Sequence, residues 1–221
     1  MTRGDLPTAV YDLSVPVTDG VDWYREAGCP PVEISDVGSL AEEGWISHTA
    51  RLMVLNGTTY LETAAHIYED APTLDRMPPE RFITRAFVVR IGSERRELPA
   101  PDRPLPHFEQ DRDAILLSCG WESRVYAPQF YYDSPYFSAE LQEWLLEHRP
   151  SILGGDMLSF DHPEDTSMPF IRAFFRTGGM ILCPLMNLGE LPEIVTLCAL
   201  PTKLAGCNAA PCRALAWRDD R

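Results

Sequence analysis

The sequence predicts one mixed α/β domain in which short strands outnumber helices. The chain has 221 residues, 45% of them hydrophobic, which is enough to bury one substantial core. Runs of Val, Ile, Leu and aromatic residues recur at strand length, and only two stretches have the spacing of a helix. Repeats, low-complexity regions and linkers are absent from the sequence, so we expect residues 1–221 to form a single domain.

Seven segments have the length and composition of strands. They are Val10 to Val17, Thr49 to Leu55, Phe82 to Ile91, Ala114 to Ser118, Ser151 to Gly154, Met180 to Leu185 and Ile194 to Leu200.

Two helices are predicted between these strands. The first follows Ser138, a residue type that favours the N-cap position, and Pro150 ends it. The second covers about Pro169 to Arg176 and stops at Gly178-Gly179, where a left-handed cap is expected.

The composition excludes several classes of partner. A formal net charge of −14 disfavours binding to nucleic acid or to an anionic membrane. The sequence contains no apolar run close to the ~20 residues that span a bilayer, and Met1 to Leu13 does not resemble a signal peptide. We therefore expect a cytoplasmic protein. The six cysteines include no Cys-x-x-Cys pair, which indicates buried, reduced thiols.

The most informative segment is Asn56 to His66, which reads Asn-Gly-Thr-Thr-Tyr-Leu-Glu-Thr-Ala-Ala-His. It resembles the signature His-x-Gly-Thr-His-x-Asp-x-Pro-x-His of the cyclase family, which includes bacterial kynurenine formamidase, isatin hydrolase and several proposed polyketide cyclases. In this comparison Asn56 and Tyr60 replace two ligand histidines, Glu62 replaces the aspartate, and His66 keeps the final histidine.

Further segments resemble the family in the same order along the chain. They are the Asp-Leu-Ser opening at 11–14, the Gly-Trp element at 118–121, the segment Tyr132 to Trp144 with Glu-Trp-Leu at 143–145, the Gly-x-Asp-x-x-Ser element at 155–159, Asn-Leu-x-Glu-Leu at 187–191 and Pro-x-Arg-Ala at 211–214. The resemblance implies the family's swivelling β/β/α-type fold, with a mixed sheet, a barrel-like core and flanking helices. It also implies a homodimer or homotetramer.

The replaced residues argue against the family's metal site. Asn56 is a weak neutral donor, Tyr60 must lose a proton of pKa about 10 to bind well, and only Glu62 is an ordinary hard ligand. The resemblance also places Ile171 and Cys183 where the family has a distant histidine and a glutamate that complete a second metal site. We therefore predict neither a bound metal nor another cofactor.

The same segment contains candidate catalytic residues. Glu62 and His66 are four residues apart, so they share a face if the chain turns helically. The resemblance puts His66 in the place of the proton-shuttling histidine, and Glu62 is a candidate to orient it. Tyr60 is a candidate hydrogen-bond donor to an oxyanion or enolate, and Asn56 a candidate to bind a carbonyl. The alternative is that Glu62 and His66 form a structural pair.

Aromatic residues suggest the kind of substrate. Trp121, Tyr132 and Tyr136 belong to a segment that borders the pocket in relatives, and they are candidate substrate-binding residues for an apolar or aromatic small molecule. The alternative is that these aromatic residues lie in the core or in a subunit interface.

These observations predict a metal-independent, cyclase-like enzyme that closes a ring in a small natural-product intermediate, such as a polyketide of antibiotic biosynthesis, by acid–base catalysis. Two alternatives remain at this point. One is a hydrolase of an amide or lactone, like kynurenine formamidase, with a weak metal site. The other is a non-catalytic binding protein.

Overall fold

The fold is built on a large sheet that closes on itself. The computed structural model describes residues 9–92 and 96–218. Strands in these ranges are β1 (Val10–Asp12), β2 (Glu33–Val37), β3 (Ser47–Arg51), β4 (Tyr60–Glu62), β5 (Ile83–Arg90), β6 (Glu97–Leu98), β7 (Ala114–Ser118), β8 (Tyr136–Phe137), β9 (Ile152–Gly155), β10 (Met180–Cys183), β11 (Ile194–Pro201) and β12 (Ala209–Trp217). The two α-helices are α1 (Ala139–His148) and α2 (Pro169–Arg176).

Seven strands form a closed, barrel-like ring. Their order is β12, β11, β5, β7, β9, β10 and β4, after which β4 pairs with β12 again. Strands β5, β7, β9 and β10 run parallel to one another, and the remaining pairs in the ring are antiparallel. The ring closes because residues 209–211 of β12 pair with β4, whereas residues 212–217 pair with β11. This topology confirms the predicted mixed sheet with a barrel-like core and flanking helices.

Side chains on the barrel strands alternate between two hydrophobic clusters. One cluster fills the barrel interior with residues such as Leu61, Leu116 and Leu182. The other cluster lies outside the barrel and includes Tyr60 and Cys183 together with residues of α1 and α2. The side of β4 that bears Tyr60 therefore faces the helices.

Both predicted helices are confirmed. The Ser138 hydroxyl accepts a hydrogen bond from the Leu141 backbone N–H at 3.2 Å, as the N-cap prediction requires. Helix α2 has the predicted bounds, and Gly178, two residues after its end, has φ = +82°.

The predicted strands differ most from the observed strands where local turns or weak strand formers occur. Strand β1 ends at Asp12, because the Asp12 carboxylate accepts the Ser14 N–H at 3.1 Å and turns the chain. The predicted strand from 49 to 55 begins earlier and ends at Arg51, and Pro184 follows the end of β10. Strands β2, β4, β6, β8 and β12 were not predicted from the sequence.

The hairpin formed by β2 and β3 is a separate two-stranded sheet with nearly every residue exposed.

Within the described ranges, no helix is long and apolar enough to cross a membrane. All six cysteines are free, but only Cys119, Cys183 and Cys212 are buried, so the prediction of buried thiols is correct for half of them. The cytoplasmic location and the homo-oligomer remain predictions.

We predict that Gly57→Ala destabilises the protein strongly. Gly57 has φ = +74°, and a Cβ atom added there would overlap Cγ2 of Val32. The substitution therefore combines backbone strain with a steric clash, and we expect a loss of about 2 kcal/mol or more in the free energy of unfolding, measured by urea denaturation.

Gly20→Ala is the matched control for this prediction. Gly20 has a similar φ of +77°, but a Cβ atom there would have open space around it. Gly20→Ala should therefore lower the free energy of unfolding only by the amount that the backbone strain costs. Equal losses in the two variants would contradict the packing of Val32 against Gly57.

Candidate functional site

Strand β4 positions two of the predicted site residues. It pairs with β10, placing Tyr60 opposite Cys183 and Glu62 opposite Ile181, and it also pairs with β12. Leu61 points into the barrel, so Tyr60 and Glu62 both face the helix side. Both side chains are buried, with 4% and 5% of the residue surface exposed.

A short turn after β4 brings His66 next to Glu62. Thr63 caps the 3₁₀ turn Ala64–His66 by accepting the Ala65 N–H on its hydroxyl at 3.3 Å. As a result, His66 Nδ1 lies 3.0 Å from Glu62 Oε1. The His66 side chain is 33% exposed and that of Glu62 only 7%. The structure thus places a buried acid behind a solvent-accessible imidazole.

Burial controls the charge state of this pair. It raises the pKa of Glu62 from 4.5 to about 8 and lowers the pKa of His66. Although Glu62 Oε1 lies 3.0 Å from His66 Nδ1, no hydrogen bond to this oxygen is found among the described residues. At neutral pH the pair therefore consists of a protonated carboxyl group and a neutral imidazole.

Tyr60 lies in a buried group of hydroxyl and thiol side chains. Its hydroxyl is within hydrogen-bonding reach of the Tyr24 hydroxyl and of the Cys183 thiol. Burial is the largest cause that raises the pKa of each of these three groups, and the nearby Glu62 raises them further. All three stay protonated at neutral pH, so Cys183 is an unreactive thiol and Tyr60 a hydrogen-bond donor.

The Asn56 side chain contacts protein groups at both of its polar atoms. Its amide oxygen accepts the Trp23 N–H at 2.8 Å, and its amide nitrogen donates to Pro30 O at 3.1 Å and Asp22 Oδ1 at 3.3 Å. These bonds hold the segment 22–30, which carries Tyr24, against Asn56. Binding of a substrate carbonyl would require one of them to break.

The three predicted substrate-binding aromatic residues each have different contacts. Tyr132 packs on Tyr131, whose ring lies 4.5 Å from that of Tyr24, so this row of rings leads to Tyr60. Tyr136 instead packs against His162 on the ribbon of β6 and β8.

Trp121 is held in place by two contacts. Its ring stacks on Phe130, and its Nε1 donates to the Phe130 carbonyl at 3.0 Å. These contacts fix the indole but do not connect it to Glu62.

The family resemblance implies a metal ion at positions 56, 60 and 62, and these residues do not fit one. The amide of Asn56 is occupied by protein contacts, and Tyr60 is a buried, protonated phenol. Glu62 is the one carboxylate of this set, and burial favours its protonated form. Residues 9–92 and 96–218 contain no group of three His, Cys, Asp or Glu side chains arranged to hold a metal ion.

Two residues at the site were missed by the sequence analysis. Asn208 places its Nδ2 atom 2.9 Å from His66 Nδ1, and Tyr24 covers Tyr60. Asn208 is 142 residues from His66 along the chain. No local pattern indicates either contact, because each depends on how distant segments pack around β4.

Comparisons with known proteins agree with this architecture. A family model described as "Putative cyclase" matches residues 11–162. Isatin hydrolase A from Ralstonia solanacearum superposes with a TM-score of 0.82 at 20% identity, covering 96% of this chain and 92% of that protein. A predicted metal-dependent hydrolase from Bacillus stearothermophilus superposes with a TM-score of 0.76 at 19% identity, covering 96% and 98%. No curated protein matches the sequence.

We predict that Glu62→Gln changes how stability depends on pH. The unfolded chain ionises Glu62 near its ordinary pKa of 4.5, whereas the folded protein keeps the proton up to about pH 8. Between these values the folded state binds more protons, so wild-type stability falls as pH rises. The neutral glutamine should match wild type at pH 5 and be more stable by about 2 to 5 kcal/mol at pH 9.

Urea denaturation at both pH values measures this effect. Glu69→Gln, at an exposed glutamate three residues beyond His66, is the control and should follow wild type. If the free energies of unfolding of wild type and Glu62→Gln depend equally on pH, Glu62 does not hold a proton in the folded protein.

Proposed function

This chain belongs to the cyclase family, and we propose that it is an enzyme that closes a ring in a small molecule by acid–base catalysis without a metal ion. The observation that supports this proposal is the buried Glu62 Oε1, which has no hydrogen-bond partner in the described part of the chain and lies 3.0 Å from the partly exposed His66. A buried polar oxygen without a partner is unfavourable for stability, and such groups are common at functional sites.

The pair can first act as an acid. In the proposed step, a nucleophilic atom of the substrate attacks a carbonyl carbon of the same molecule, and the carbonyl electron pair moves onto its oxygen. His66 donates its Nε2 proton to that oxygen, and Glu62 replaces it by giving its own proton to Nδ1. Glu62, whose pKa is about 8, holds this proton at neutral pH, so it serves as the proton store.

The second step reverses these transfers. The nucleophile, an enol or hydroxyl group, loses its proton to the vacant Nε2 of His66, and Nδ1 returns its proton to Glu62. The ring bond has then formed, the substrate has lost one proton and gained one, and the enzyme is restored. Aldol-type and lactonising closures both fit this sequence.

The buried tyrosines give the site hydrogen-bond donors for a developing oxyanion. Tyr60 is almost fully buried, whereas Tyr24 in front of it is half-buried and lies on Tyr131. We propose that Tyr24 meets the substrate and that Tyr60 orients the Tyr24 hydroxyl. The neighbouring rings of Tyr131 and Tyr132 favour an apolar or aromatic substrate, such as a polyketide intermediate.

Hydrolysis of an amide or lactone is the second candidate, and the similarity to isatin hydrolase A favours it. The same pair would donate a proton to the leaving group in that reaction. It would also require an activated water molecule, which a metal ion supplies in metal-dependent hydrolases.

Elemental mass spectrometry and an activity assay on one sample distinguish the two candidates. The protein is purified without chelators and tested against an aryl formamide and a set of linear aryl β-ketoesters that can close by aldol reaction. We expect ring closure, no stoichiometric metal and no formamide hydrolysis. Stoichiometric zinc or manganese together with hydrolysis would contradict the proposal.

We predict that His66→Gln reduces ring closure by a factor of about 10² to 10⁴, because the residue that transfers both protons is lost. Glu62→Gln should have an effect of similar size, since glutamine cannot supply a proton to Nδ1. His48→Gln, at an exposed histidine of the β2–β3 hairpin, is the control and should keep wild-type activity. Full activity in His66→Gln would exclude the proposed mechanism.

A further inference from the structure

The Nδ1 atom of His66 has two polar neighbours. Asn208 Nδ2 lies at 2.9 Å, in a hydrogen bond, and Glu62 Oε1 lies at 3.0 Å. The other ring nitrogen, Nε2, has no hydrogen-bond partner among the described residues and belongs to a side chain that is 33% exposed. Asn208 is therefore the group that forms a hydrogen bond with the ring at Nδ1.

The backbone fixes Asn208 in place next to the turn that carries His66. The Asn208 carbonyl accepts the Thr63 N–H at 2.9 Å and the Thr63 hydroxyl at 3.2 Å. The next residue, Ala209, pairs with Glu62 in the barrel. Thr63 also caps the turn Ala64–His66. Hydrogen bonds through Thr63 therefore fix the position of Asn208 relative to the turn that carries His66.

We propose that Asn208 is a positioning residue that selects the tautomer of His66. An amide NH₂ group can only donate, so a ring nitrogen that contacts it must accept. Nδ1 is then unprotonated, and the neutral ring carries its proton on Nε2, on the side open to solvent.

This inference rests on the proposed function for its meaning in catalysis. A ring with its proton on Nε2 begins the reaction as the acid, which is the first of the two proposed steps. When Nδ1 receives a proton from Glu62, the NH₂ group opposes it, and the amide can respond by rotating so that its oxygen accepts the new N–H. Asparagine serves both states because it offers a donor and an acceptor on one side chain.

The test is the tautomer of His66, observed by ¹H–¹⁵N NMR of full-length protein labelled with ¹⁵N-histidine, at a pH where the ring is neutral. His66→Gln identifies the signals. In wild type we expect the proton on Nε2. In Asn208→Asp the ionised side chain can only accept, so the proton should move to Nδ1. In Asn208→Leu the ratio of the tautomers should shift toward Nδ1 by about fivefold, the effect of one ordinary hydrogen bond.

Several results would overturn the inference. A wild-type ring with its proton on Nδ1 would mean that Asn208 accepts rather than donates. Unchanged ring signals in Asn208→Asp and Asn208→Leu would show that Asn208 does not select the tautomer. Cys207→Ala, at the neighbouring residue, is the control and should leave the signals unchanged, and Asn208→Ser replaces the leucine variant if that variant does not fold.

The NMR result does not depend on turnover. If the tautomers respond as stated but no ring closure is found, the inference stands and the proposed function fails. If ring closure is found but the tautomers do not respond, the proposed function stands and Asn208 has no positioning role.

Discussion

Strand β4 is hydrogen-bonded on both edges, and the site depends on this constraint. Pairing with β10 on one side and β12 on the other closes the barrel and fixes the register of Tyr60 and Glu62. Because side chains alternate along a strand, the burial of Leu61 inside the barrel places both polar neighbours on the opposite face. A shift of one residue would put Glu62 inside the barrel, so the hydrophobic core also holds the site in place.

The chemistry follows from where that register puts the carboxyl group. Glu62 lies on the side of the barrel that faces the helices, and burial there raises its pKa to about 8. His66 lies beyond the end of the strand and reaches solvent. In the proposed mechanism, this arrangement gives a proton store inside the protein and a proton carrier at its surface. Tyr60 and Cys183 occupy positions at which the family resemblance expects metal ligands, and they fill them with protonated groups.

The sequence predicted the parts of the fold that have strong local patterns. Strands such as Ala114–Ser118 and helix Pro169–Arg176 were located correctly, since each has an apolar composition and clear end signals. Strand β12 was missed because its inward residues are small, with Ala210, Cys212 and Ala214 in place of typical strand formers, and because Pro211 interrupts it. The closure of the barrel at β4 could not be predicted, because a strand of three residues has too short a sequence pattern to recognise.

Prediction of the site was likewise limited to residues that are close together in the sequence. The four-residue spacing of Glu62 and His66 indicated their contact, although a 3₁₀ turn brings them together instead of an α-helix. Asn208 and Tyr24 reach the site through long-range packing, and nothing local to them signals it. The occupied amide of Asn56 was equally invisible, because its partner Trp23 lies 33 residues away.

The proposed mechanism depends most directly on the protonation state of Glu62. This state can be measured by following the side-chain carboxyl carbon of Glu62 in ¹³C-glutamate-labelled protein by NMR from pH 4 to pH 10, with Glu62→Gln identifying the signal. We predict that the carboxyl group ionises at about pH 8, far above its ordinary value of 4.5. Ionisation near pH 4.5 would contradict the proposed mechanism, because Glu62 would then have no proton to give at neutral pH.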